Sequence, residues 1–505
     1  MKTFLFYIIC IFVIGLNSVI GQTIKLRQGP EIGYRTILVD SDGKNTYLWH
    51  HHFGNRKDFK KHSAFQLDIL DENFEKKDSF IYKIEGEDWQ TDNIFKFNDK
   101  FICILKVYDN SKDTKIYKAL SIDMNGKGSI PVIIGNLDVK DSSVDAITEI
   151  NYSQSNEKFV FTAMDTRRLD RLDSKDKFKF LISLRDKELN EIYSRNVMLN
   201  ETEKQIAYLG NSCNSKNEVS ILCKVFEEKI KYGKTKTIKS ALKIFQLASE
   251  SSQIKEIDLQ IKDKFVVSAG IKYLNDSIIY CVGHYSNHLN GVEDGVFFIK
   301  IQNGVIISEN LKLLTNEQNE LLGKKPNKES IERPEQTKQI NYANFIINSD
   351  NSTIVTCEKI FTTSTIISFI KINENGSINS INMIPRDEYY REYTGTGSHS
   401  MFKMGEKSVF FYNTEKADFM PTKKASFKLQ NAKTIFDMVP ALSIINSKGE
   451  IVKKTIFPLT EKRELLTYPR QIKQIDQNKF LISIVDFNAN KYSPPMFLTE
   501  VTIIE

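Results

Sequence analysis

From residue 23 onward the chain alternates short apolar runs, rich in Ile, Val, Phe and Tyr, with short polar clusters. Runs of this length between turn residues predict strands rather than helices. Two hairpin series interleave. One has turns near Asp71 (LDILDENFEKKDSFIYKI), Asp123 (LSIDMNGKGSIPVII), Arg185, Ala248, Gln302 (FFIKIQNGVIISENLKL), Asn373 and Asn446. The other has turns SDGKN at 41, FNDK at 97, SNEK at 155, NSKN at 214, LNDS at 274, NSDNS at 348, MGEK at 404 and DQNK at 476. A strongly apolar run such as FICILKVYD, SIIYCVGHY or FLISIVDF follows each of these.

Read together, the series give a repeating unit: strand A, tight turn, strand B, variable loop, strand C, tight turn, strand D. Four antiparallel strands repeated in this way predict an all-β fold, a β-propeller of seven or eight four-stranded blades, with eight A–B turns counted. The last unit stops at FLTEVTIIE, a third strand, while TIKLRQG at residue 23 is a strand with no earlier partner. The N-terminal strand is therefore expected to complete the last blade and close the ring, hiding an open sheet edge. The competing architecture is an array of β-sandwich domains, or at the extreme an adhesin-like array.

This pattern resembles that of secreted β-propeller repeat proteins of bacteria. The resemblance spans nearly the whole chain after the leader and rests on pattern alone. A GH…WD pairing, a kelch double glycine and an S-x-D-x-G-x-T-W box are missing from the sequence, so no family's functional residues carry over.

The first 21 residues read as a signal peptide: Lys2, an apolar run from Phe4 to Leu16, then Val19 and Gly21 before the cleavage point. Residues 22–505 then form a single propeller domain with loop insertions at about 316–338 and 416–433. The expected location is secreted, periplasmic or extracellular, with no membrane span once the leader is removed. A net charge of +6 with interleaved signs argues against nucleic acid as a partner. The six cysteines include Cys10 in the leader; the other five show no framework spacing and read as small buried hydrophobes. No cofactor is expected, and the chain is expected to be a monomer.

The short turns recur with little change, whereas the B–C and D–A connections differ in every unit. Variable loops on a rigid scaffold are where binding usually resides. The working face is therefore expected at the B–C/D–A end. His50 and His52 lie there beside Trp49 in WHHHFGNRKDFKKHS. So do His284, Tyr285 and His288 in CVGHYSNHLNGVEDG, and Tyr389, Tyr390 and Arg391 ahead of His399. Exposed rings with nearby polar groups suit a glycan or a protein hot spot. The leading expectation is a non-catalytic binding or scaffold protein for a protein or glycan ligand. The alternative is a polysaccharide hydrolase or lyase with His50 or His284 as base and Tyr389 or Tyr390 as acid. His50 and His52 could chelate a metal with His284 or His288, but no spacing demands one, and no metal is assigned.

Overall fold

The computed structural model describes residues 23–504 without 34–35, 52–61, 87, 140–145, 166–176, 227–239, 252, 262, 289–292, 322–339, 349, 361–363, 388–398, 416–418, 420–437, 447–449, 459–464 and 487–493. Eight antiparallel sheets account for these residues, and the chain is an all-β, eight-bladed β-propeller. Seven blades are four-stranded meanders in chain order, at 37–85, 90–138, 146–202, 206–259, 265–313, 340–387 and 400–455. In the eighth, the N-terminal strand Thr23–Ile32 pairs with Met496–Ile504, from Thr23 opposite Ile504 to Ile32 opposite Met496. The closure expected from the unpaired first strand is thus present.

The chain divides into two compact units. His50–Leu67 with Ser79–Asp387 holds blades 2 to 6 entire. Met1–Trp49, Asp68–Asp78 and Glu388–Glu505 hold blades 7 and 8 with the N-terminal strand.

One turn explains the recurring hairpin. In DENFE, Asp71 N donates to Glu75 O, Phe74 N donates to Asp71 O, and Phe74 adopts a left-handed φ of 65°. The Asp71 carboxylate accepts from Asn73 N and Glu75 N at 2.8 Å each. Asp123–Lys127 and Asp186–Asn190 repeat the same bonds. Asn214 Oδ1 does likewise, accepting from Lys216 N and Glu218 N at 3.0 Å. A short Asx side chain satisfies the turn's own amides, and the left-handed residue matches its twist to the strands. The device serves both A–B and C–D turns.

Burial follows strand position. The second strand of blade 5, Ile278–Ser286, is almost wholly buried, whereas its outer strand Val305–Leu313 alternates exposed and half-buried residues. The cores lie between blades. Tyr117 of blade 2 meets Phe161 of blade 3 at 4.9 Å, and Phe180, Ile182 and Leu184 of blade 3 pack on Ile221, Cys223 and Phe245 of blade 4. Within the other unit, Ile32, Leu38, Leu48 and Leu70 pack on Leu481, Val485, Met496 and Leu498. Cys103, Cys213, Cys223, Cys281 and Cys357 are all free and buried, and serve as core residues. Packing is tight at Gly283, where an added methyl would stand 2.3 Å from the Phe297 ring and 2.5 Å from Ser268 O. Gly283→Ala is expected to lower stability by about 1–3 kcal/mol, read as a lower urea midpoint at unchanged slope.

The insertion at 316–338 opens with a short helix, Asn316–Leu321, anchored by Gln318 Nε2 donating to Ile381 O at 2.5 Å. Its remainder from 322, and nearly all of 416–433, lie outside the described residues, as does the leader.

Candidate functional site

The two ends of the blades in the unit holding blades 2 to 6 are built differently. At the A–B end, neighbouring turns are laced together. Asn98 Nδ2 donates to Asn156 O at 2.7 Å. Lys158 Nζ bonds Ser215 O and Asn217 Oδ1, and Asn214 Nδ2 donates to Asp276 O at 3.0 Å. The C–D turns are tied similarly, with Arg195 donating to Ser251 O and Ala248 O at 2.9 Å. These polar groups are committed to holding blade to blade.

The B–C and D–A end carries connections as short as 203–205 and as long as 314–339. Buried ionisable side chains collect at this end: Lys115 at the start of its strand, His284 near the end of its own, Glu293 in a connection, and Glu358. Arg185 is the counterpart at the turn end, bonded to Ser183 Oγ, Leu189 O and Glu191. In the other unit the same division separates His399 and Asp486 from Asp68, which pairs with Lys76 at 2.9 Å.

Blade 5 shows how a loop is presented. Asp294 Oδ2 accepts from Asn287 N at 2.6 Å and Ser286 Oγ at 3.1 Å, and His288 N donates to Ser286 Oγ at 3.1 Å. Lys264 Nζ, from the D–A connection, donates to Asn287 Oδ1 at 2.5 Å and stands 5.7 Å from the Tyr285 ring centroid. Tyr285 sits in the core, where Gly295 leaves room for its ring, and burial, then Asp294, raises its phenol pKa. The result is a braced loop offering Asn287 and His288 to solvent beside a cation.

The residues singled out from sequence divide accordingly. His288 is exposed. Trp49 (1% exposed) and Tyr285 (2%) are packed, and so is Trp89, with Lys118 Nζ 4.4 Å from its ring. The expectation of exposed rings at Trp49 and Tyr285 is corrected: each seals a core, the ordinary fate of an aromatic at a strand end. His284 and His399 are buried at 3%, the latter with its ring 6.2 Å from Phe410. His50 is half-buried in Thr46–His51. His52, Tyr389, Tyr390 and Arg391 lie outside the described residues. Among the described residues, no group of three His, Cys, Asp or Glu side chains is arranged to hold a metal ion. Lys264 was not singled out from sequence, since a lysine in a five-residue connection carries no signal of its own.

The inner strands carry a second feature that alternation cannot reveal. In blades 2, 4, 5 and 6 the register slips by one residue, at Thr91/Asn93, Tyr208/Gly210, Val266/Ser268 and Tyr342/Asn344. Each slip is a bulge, which turns side chains and frees backbone groups. Polar contacts use them. Asp92 accepts from Thr148 Oγ1 at 2.7 Å and pairs with Lys106 at 3.0 Å, and Lys224 Nζ reaches Val267 O at 3.4 Å.

No family model matches the chain, and no curated protein matches it. Solved structures do. The propeller domain of the Trilobed protease from Pyrococcus furiosus shows 11% identity over 85% of this chain and 98% of that one, with a TM-score of 0.35. A polysaccharide lyase shows 9% identity over 82% and 90%, at 0.37. The acylaminoacyl peptidase of Pyrococcus horikoshii shows 10% over 89% and 57%, at 0.36.

Proposed function

We propose that the chain is a secreted binding or scaffold protein that takes a protein or a glycan on the B–C/D–A ends of its blades. One observation carries this reading: ionisable side chains are buried at that end of the strands, while the opposite end spends its polar groups on blade-to-blade ties. Burying an ionisable group is costly and is retained where it has a role. In blades 2 to 6 the accessible part of this end includes Lys264, Asn287 and His288, which offer a cation, an amide and an imidazole within one braced loop. That combination suits hydrogen bonding to a polar ligand. It does not depend on a single indispensable residue. The burial of His284 argues against its use as an acid or base on a polymer.

A thermal-shift panel of glycans and divalent salts tests the proposal, because a ligand specific to the folded state raises the Tm. The expected result is a shift with one glycan class that the K264A/N287A/H288A variant loses, with no turnover of the glycan. If no glycan shifts the Tm, the ligand is a protein, and the chain serves as bait. Turnover of a polymer would replace the binding reading with the enzymatic one.

A further inference from the structure

We infer that the seam between blades 4 and 5, at its B–C/D–A end, is a subsite for the carboxylate or sulfate of an acidic glycan, with Lys224 and Lys264 as its cations. The inference rests on the binding face proposed above and gives the ligand there a charge. Lys224 lies near the end of Glu218–Phe226, the second strand of blade 4. Leu222, two residues earlier on the same face, packs with Val266, Tyr285 and Phe297 of blade 5, so Lys224 faces that blade too. Its Nζ reaches Val267 O at 3.4 Å and stands 5.7 Å from the Phe226 ring centroid. Val267 is the extra residue of the bulge between Val266, opposite Tyr285, and Ser268, opposite His284. Lys264 directly precedes that strand. Its Nζ donates to Asn287 Oδ1 at 2.5 Å and stands 5.7 Å from the Tyr285 ring centroid. The two ammoniums thus come to one seam, one from each side.

What sets them apart is the lack of a counter-ion. Among the described residues, no carboxylate lies within 4.0 Å of either Nζ. Asp294, the acid of the neighbouring loop, accepts from Ser286 Oγ and Asn287 N. Asp263, beside Lys264 in sequence, is exposed. Other strand lysines of the same unit are neutralised, Lys106 by Asp92 and Lys243 by Glu256, each at 3.0 Å. An ammonium has three donors, and one long carbonyl contact leaves Lys224 with donors for a ligand. Drawing a cation partly out of water without a counter-ion is costly, and an anion entering the seam supplies one through charge-assisted hydrogen bonds. The exposed Asn287 amide and His288 imidazole stand beside it for the hydroxyls of a sugar.

The test measures Kd by calorimetry for the full chain with tetragalacturonate, sulfated maltotetraose, neutral maltotetraose and a poly-glutamate peptide. One of the two acidic sugars is expected to bind most tightly, and added salt should weaken it. Which of the two it is separates carboxylate from sulfate. Lys224→Met and Lys264→Met should each weaken that binding about tenfold or more, the effect of losing one charge-assisted hydrogen bond. The urea midpoint of each variant shows that it is folded. Lys255→Met removes the same charge at the opposite end, where Lys255 Nζ donates to Asn303 O at 3.4 Å, and should leave Kd unchanged. Equal affinity for the neutral sugar, or acidic-sugar binding untouched by both seam variants, overturns the inference and leaves the binding face standing. Poly-glutamate as the sole binder overturns it in favour of an acidic protein. Binding of no sugar at all removes the inference together with the glycan reading of that face.

Discussion

Removing the N-terminal strand, residues 23–32, is expected to cost on the order of 5 kcal/mol and to make the chain aggregate. The strand supplies the outer ladder of blade 8, from Thr23 opposite Ile504 to Ile32 opposite Met496. It also places Ile32 in the cluster with Leu38, Leu48, Leu481 and Leu498. At roughly 1 kcal/mol net per hydrogen bond, several ladder bonds and one buried Ile sum to that figure. Deletion also bares the backbone edge of Met496–Ile504, whose inner residues Leu498, Val501 and Ile503 are fully buried. The urea midpoint should fall and light scattering should rise. A peptide of residues 22–32 added in trans should restore the midpoint in part. An unchanged midpoint would mean that the strand decorates blade 8 without closing it.

The second large effect has the opposite sign. Lys224→Met is expected to stabilise the protein at neutral pH by on the order of 2 kcal/mol. Lys224 sits on Glu218–Phe226, and burial lowers its pKa from 10.5 to about 8. Below pH 8 the folded protein holds a half-buried lysine whose ammonium stands 3.4 Å from Val267 O and 5.7 Å from the Phe226 ring centroid. The interval between 8 and 10.5 corresponds to on the order of 3 kcal/mol, and about 1 kcal/mol is returned when Val267 O loses its donor. A lysine depressed on folding gives stability that rises with pH between the two values. The gain from Lys224→Met should therefore be full below pH 8 and gone above about 10.5. Denaturant unfolding at pH 7 and 10.5 measures it. Equal gains at both would show that packing, not charge, sets the effect.

The architecture was legible because its signals are local. DENFE, DMNGK and DKELN each place an Asx residue where its side chain closes the turn, so these tight turns could be located and the blades numbered as seven or eight. The unpaired first strand likewise announced its partner. The site was less legible for two physical reasons. An aromatic at a strand end has the same sequence context whether it packs on the next blade or faces solvent, which is why Trp49 and Tyr285 read as surface rings. Contacts between blades also join residues some sixty positions apart, as with Glu149 and Tyr208. Their meeting depends on register and on the bulge at Tyr208/Gly210, which a period-2 pattern cannot encode.

Hydrogen–deuterium exchange on the full chain, with and without the panel glycan giving the largest thermal shift, tests the binding face most directly. Protection confined to segments such as 110–113, 260–264 and 287–294, with the turns at 98–99, 153–157 and 214–217 unchanged, is the predicted result. Protection at those turns, with the connections unchanged, would contradict it and move the site to the opposite end of the blades.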